Sequence, residues 1–497
     1  MHHRLRGWVY AALLAPALAA CGDSGSTSDG GNASTGGQSA GGSGASSVVG
    51  GAGVGGVGGT GGSGVADGGN AGNTGGLGGQ ANEAGGGSGG GSVALDPLSC
   101  PVGPADGCCP VAVQYGGSDP DCPSLGCATF TSSSDIPLDD GTEEGGGGVG
   151  MVWTGTELVL AWSTIDKSQP QPKRTLHFER RDGSGALTFG PLEQPDTFTT
   201  VPTWHTSAEL GLHPETGQLL FVSDTATNRY GVLLDQNGQL GASLALGATC
   251  NGIMAAHRVY PAPGQFLVAQ YEQPCNGGSL HAPRVDLVGL DGAQLGARLG
   301  DYAVQIGMTY KPVTSEVLFT AGGGVISART FAPPSTWSPI SQLAVTDTDE
   351  TAIAGDGTRY GVVFGAYSFD GSNLVSTPYF GIYDPVAGTY ATTANISPGP
   401  KHLMVPPRLL WTGDGYVAIE SVFKTNGGGL PDSWSTFETW IWSLSADGAV
   451  RESFRLGEGV PAYLVNAVLA GGRIAITWVT PEQQGERHYL RFLECSM

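Results

Sequence analysis

Val152-Trp153-Thr154-Gly155, leading into Glu157-Leu158-Val159-Leu160-Ala161-Trp162, is the stretch that decides the fold. Two short apolar and aromatic runs flank a Thr-Gly turn. Runs of that length, rich in Val, Leu and Trp and bounded by glycine, read as two strands of a hairpin. The same order returns at Leu410-Trp411-Thr412-Gly413 before Tyr416-Val417-Ala418-Ile419-Glu420. Looser copies run over 208–223, 259–271, 308–320, 352–364 and 467–478. Their turns are expected at Gly155, Gly217, Gly264, Ser315, Gly357, Gly415 and Gly471.

A second kind of hairpin lies between these, marked by Asp182-Gly183, Asn237-Gly238, Asp291-Gly292 and Asp447-Gly448. Such dipeptides suit two-residue turns because the central positions need positive φ. Two hairpins make four strands, and four-stranded units of about 40–60 residues in series read as propeller blades. The expectation is therefore an all-β chain with a seven-bladed β-propeller over 150–497. Six or eight blades, or a pair of β-sandwiches, would use the same strands. The order W-x-G-x-x-L/Y-x-x-x-W followed by Asp-Gly resembles repeats of uncharacterised bacterial surface β-propeller lipoproteins, over roughly 150–497 and with two close copies.

The first residues point the same way. His2, His3, Arg4 and Arg6 precede an apolar run from Val9 to Leu18, then Leu18-Ala19-Ala20-Cys21. A cationic start and a short apolar core describe a secretory signal, too short to span a bilayer. Leu-Ala-Ala-Cys resembles the lipobox of bacterial lipoproteins. That resemblance implies removal of 1–20 and acylation of Cys21, a stable membrane anchor through several acyl chains. Gly22 stands where that family carries an inner-membrane retention aspartate, so the outer membrane or surface of a Gram-negative cell is expected. Residues 21–94 are a Gly/Ser-rich linker that cannot bury enough surface to order itself. At about 72 residues it is expected to act as a leash about 45 Å from end to end. Its Gly37-Gln38-Ser39-Ala40-Gly41 fits a nucleophile-elbow pattern but lacks the strand-to-helix context that pattern needs.

Nine cysteines are present. Setting Cys21 aside leaves an even number, which in an oxidising compartment reads as disulfides. Cys250 and Cys275 flank a hairpin turning at Pro261-Ala262-Pro263-Gly264, so they are expected to pair; closing that loop is worth about 3–4 kcal/mol. Cys100, Cys108, Cys109, Cys122 and Cys127 crowd a segment over 95–130. Five cannot pair among themselves, so one is expected to reach Cys495. An acidic Gly-rich linker over 131–149 is expected to join this segment to the propeller.

A net charge of −22 argues against nucleic acid or anionic lipid as a partner. No motif supplies a catalytic set. The domain's histidines are scattered, with His205 and His213 expected in turns or at the surface. Asp139, Asp140, Glu143 and Glu144 form a weak candidate Ca²⁺ site, set against a solvated acidic linker. Trp434, Trp440 and Trp442 are candidates for stacking a ligand, with blade packing as the alternative reading. Two functions follow. The chain is a non-catalytic binding module, displayed at the membrane, for a protein or glycan. Alternatively, it is an extracellular polysaccharide hydrolase or lyase with carboxylates at the propeller mouth.

Overall fold

A computed structural model describes Cys100, parts of 108–122 and most of 124–496. The longest stretches outside the described residues are 1–99, 196–206, 249–256, 273–281 and 424–437. The leash, Cys21, His205, Trp434 and the expected Cys250–Cys275 pair therefore fall outside them.

The chain forms seven antiparallel sheets, six of them built from consecutive strands, and they are the blades of a seven-bladed β-propeller. Blade 1 runs through Gly150–Trp153, Glu157–Asp166, Lys173–Asp182 and Leu187–Pro195. The next five repeat that order. Their innermost strands are Ala208–Leu212, His257–Ala262, Val304–Lys311, Thr348–Gly355 and Arg408–Trp411, and blade 7 begins with Tyr463–Ala470.

The middle strands read as unbroken apolar runs because both faces are covered. In Glu157–Asp166 every position but the first and last is buried. One face meets the previous blade and the other the next. Val159 and Phe178 of blade 1 pack with Leu210, Phe221 and Tyr230 of blade 2. Trp162 and Trp478 occupy equivalent places in the second strands of blades 1 and 7, and both are sealed from solvent. Outer strands face water, and Leu187–Pro195 is exposed along most of its length.

The turn chemistry follows the sequence closely. Gly155, Gly217, Gly264, Ser315, Gly357 and Gly471 all take positive φ at the first hairpin of their blades. In blade 6 the left-handed residue is Gly413; Gly415, expected there, opens the next strand instead. Ser315, at φ 53°, is the single non-glycine in that region among the described residues. At the second hairpins the aspartates are turn acceptors: Asp182 Oδ1 takes the N–H groups of Ser184 and Ala186, and Asp291 Oδ1 that of Ala293.

The stretch 131–149 departs from expectation. It is no spacer. Thr129–Ser132 pairs antiparallel with Glu486–Ser496 and becomes the outermost strand of blade 7. Ile136–Pro137 adds to the same strand further along, and Glu144–Gly145 joins blade 1. Segments before the first blade thus complete the last one, and the ring closes. The Cys127–Cys495 disulfide lies at this seam, as the cysteine count required, and Cys100–Cys108 and Cys109–Cys122 pair the remaining four.

A buried ionic network stitches blades 2 and 3. Arg229 is sealed from solvent and holds both carboxylate oxygens of Asp224, at 2.5 and 2.8 Å, while donating to Gln270. Gln270 donates in turn to Asp286, which Arg284 also grips. A fully desolvated pair like this is costly to break one member at a time.

Replacing both Cys127 and Cys495 with alanine removes a cross-link spanning 368 residues. The expected loss is about 6 kcal/mol of unfolding free energy on the chain-entropy account, read from guanidinium denaturation of the oxidised protein. The same double substitution at Cys100 and Cys108, only eight residues apart, should cost clearly less.

Candidate functional site: the central channel

The innermost strands surround a channel holding a cavity of about 80 Å³, lined by residues from all seven blades. Most of its wall is apolar, including Met151, Met308, Ile353 and Leu410. Gln114, from the cysteine-rich segment, closes one end. Its amide donates to Trp153 O at 2.8 Å and accepts from Trp153 N at 2.8 Å, so it docks on the last residue of an inner strand as a neighbouring strand would. Leu125 N also donates to Thr412 O, in the first turn of blade 6. The cysteine-rich segment is thus a cap on the face carrying the first hairpin turns.

The charged groups of the channel lie towards its other end. Glu209, Arg258 and Arg408 sit at the first or second position of three inner strands. Glu209 Oε1 accepts from Arg258 Nη1 at 2.6 Å and from Arg408 Nη2 at 2.6 Å. Arg258 Nη1 also donates to His257 O, and Arg408 Nε to Val465 O. Asn466, from blade 7, donates to Val149 O and so ties that blade to blade 1 beside the cluster. Burial and the like charge of Arg258 together pull Arg408 down to about 10, against which Glu209 acts. Two cations share one carboxylate, and the cavity carries one positive charge in excess.

A second unusual group stands apart from the channel wall. Glu420, in Gly415–Phe423 of blade 6, is 1% exposed and neither carboxylate oxygen has a hydrogen-bond partner among the described residues. Burial pushes its carboxyl up to about 8, as expected when nothing compensates desolvation.

The acids of 131–149 do not converge on a common point. Asp139 pairs with His488 Nδ1, and that ring's Nε2 faces Gly147 O at 2.8 Å. Burial opposes the charge on His488, but Asp139 prevails and holds the imidazole above its ordinary range. Asp140 is capped by the hydroxyl and N–H of Thr142, which hold its carboxyl low. Glu143 accepts from Thr164, whose hydroxyl also meets His177 Nε2 at 2.7 Å. Glu144 lies in the short strand Glu144–Gly145, its side chain outside the described residues. Among the described residues no group of three acidic, His or Cys side chains is arranged to hold a metal. Asp139 and Glu143 instead fix this segment to the ring, while Asp140 is held within it by Thr142.

The tryptophan candidates divide similarly. Trp440 and Trp442 share a face, as alternation in Glu438–Ser445 requires, with ring centroids 6.3 Å apart. Trp442 is 3% exposed and packs with Phe380, Tyr416 and Leu444 between blades 5 and 6, so it offers no open face to a ligand. His213 stands in a turn, as expected, its carbonyl accepting from Gly217 N at 2.9 Å, but it is buried and not at the surface, with Nε2 against Ala262 O at 2.9 Å.

Sequence reading missed Glu209, Arg258 and Arg408. The signal was a charged residue opening an otherwise apolar inner strand, as in Arg408-Leu409-Leu410-Trp411, visible only once the units are superimposed.

No family model matches the chain, and no curated protein matches it. Solved structures do. The polysaccharide lyase Uly1 aligns at 9% identity and TM-score 0.45, covering 73% of this chain and all of that one. A neuraminidase-like protein from A/bat/Guatemala aligns at 10% identity and TM-score 0.41, covering 77% and 96%. A member of the DUF4221 family from Bacteroides vulgatus aligns at 9% identity and TM-score 0.36, covering 74% and 99%. Against the acylaminoacyl peptidase of Pyrococcus horikoshii, at 8% identity and TM-score 0.38 over 67% of this chain, the match spans about half (49%) of that protein's length. At these identities the likeness is one of fold.

Glu420→Gln should raise stability in a pH-dependent way. The folded carboxyl titrates at about 8 against an ordinary 4.5. The native protein therefore holds a proton that the unfolded chain releases, and stability falls as pH rises from about 4.5 through about 8. The variant lacks that slope. Thermal unfolding should show wild type and variant alike near pH 4.5, with the variant ahead by a few kcal/mol at pH 8.5.

Proposed function

We propose that this chain is a lipid-anchored protein of the Gram-negative outer membrane or cell surface, whose propeller is a non-catalytic binding module for an extracellular glycan or protein. The observation that carries the reading is the state of the channel. Its one carboxylate among the described lining residues, Glu209, is engaged by two guanidiniums. Glycoside hydrolysis instead calls for two carboxyl groups facing each other across a bond, one of them able to give a proton. Gln114, from the cysteine-rich segment, docks at the opposite end of the channel from that cluster. Acylation at Cys21 and the Gly-rich leash supply the display.

Two measurements test this. Metabolic palmitate labelling in a Gram-negative host should mark the wild type and not Cys21→Ala, and only the wild type should sediment with outer membranes. Labelling that survives the substitution contradicts the anchor. Incubated with arrayed glycans and cell-envelope extracts, the full chain should retain a saturable ligand and leave its length unchanged. Progressive release of oligosaccharides would overturn the reading in favour of a hydrolase or lyase.

A further inference from the structure

The arginine pair on the channel wall is more than a structural ion pair. Glu209 Oε1 receives one nitrogen from each guanidinium, which leaves Arg258 Nε and Nη2 and Arg408 Nη1 without an acceptor among the described residues. Both side chains keep some access to solvent, 21% for Arg258 and 11% for Arg408. Both side chains line the cavity, with Asn466 nearby. A guanidinium presents its N–H groups as a planar fork matched to two oxygens of one anion. Excess positive charge in a partly desolvated, mostly apolar channel attracts anions far more strongly than the same charge on an open surface. The rest of the molecule is strongly acidic, so this local sign is not a by-product of composition.

We infer that Arg258 and Arg408, drawn together and oriented by Glu209, form a receptor for a single carboxylate group in the propeller channel. Size limits what else enters. About 80 Å³ holds two or three waters' worth of volume, enough for a carboxylate and too little for a sugar ring. The carboxylate therefore belongs either to a small free acid or to a ligand whose body stays outside the channel. This inference deepens the binding-module reading and rests on it, since it names the group that the module grips.

The charge arrangement gives the inference an unusual test. Glu209 competes with the ligand for the same cations, so Glu209→Gln should tighten binding, whereas a merely structural clip would be weakened by its loss. The full chain is titrated with acetate, glucuronate and neutral glucose, followed by thermal shift and by the fluorescence of Trp411, which lines the cavity. Saturable binding of acetate or glucuronate is expected, with no response to glucose. Glu209→Gln should bind about tenfold more tightly and Arg258→Gln at least tenfold more weakly. Equal affinity for acetate and glucuronate identifies a small free acid as the source; preference for glucuronate identifies a sugar-borne carboxylate. Arg408 is deeply buried, so the comparison of wild type, Glu209→Gln and Arg258→Gln stands without a variant there. Absence of anion binding in both wild type and Glu209→Gln overturns the inference, as does unchanged affinity in Arg258→Gln. If a glycan or protein ligand is still retained by Arg258→Gln without loss, the carboxylate receptor fails and the binding module stands. If wild type retains no ligand of any kind, the binding module itself fails.

Discussion

Everything in this molecule depends on one pairing, that of Thr129–Ser132 with Glu486–Ser496. A ring of blades has no hydrophobic core running through its centre. Each blade buries its faces only against its two neighbours, so an open ring leaves two large apolar faces in water. The strand supplied from before blade 1 completes blade 7 and brings the two ends of the ring together. The Cys127–Cys495 disulfide makes that meeting covalent. Around it, Asp139 holds His488, Asp135 holds Arg491, and Glu143 reaches Thr164. The acidic stretch is the clasp of the ring.

Closure also fixes the channel. Inner strands from all seven blades must converge for the cavity to exist, and the three charged residues in it come from blades 2, 3 and 6. Glu209 is paired within a few ångströms to cations separated from it by 49 and 199 positions of chain, a geometry that only the closed ring provides. The same closure leads the cysteine-rich segment across one face, where Gln114 docks on Trp153. Cap, clasp and channel are three parts of one arrangement.

Much of the fold was legible in the sequence because hairpins are local. The Trp-Thr-Gly turns and the seven unit positions follow from short-range propensity, and all but one of the expected turn residues takes positive φ. The Asp-Gly marker was absent from blades 4, 5 and 7: blade 5 turns instead through Asp384-Pro385-Val386-Ala387-Gly388, with Gly388 at positive φ. Blade 4 reaches its outer strand, Ser341–Thr346, through a longer connection, and blade 7 borrows its outer strand from the N-terminal side. That borrowing is also why 131–149 read as a spacer: the partner of Thr129 lies 367 residues away at Ser496, and an exposed edge strand needs no apolar alternation. The disulfide to Cys495 was readable by counting, since parity is independent of distance. The site was not legible. Glu209, Arg258 and Arg408 acquire meaning only through each other. Conversely, Asp139, Asp140 and Glu143 look like a cluster in sequence and are drawn to different partners by the fold.

The central claim is that the ring is closed by the N-terminal strand and not by an edge left to solvent. Amide hydrogen exchange of the oxidised full chain tests it most directly. The account predicts that the ladder amide of Thr131 exchanges as slowly as that of Glu494, opposite it in the register, and together with the rest of blade 7. Exchange of 129–132 at the rate of an exposed loop, while Glu486–Ser496 stays protected, would contradict it.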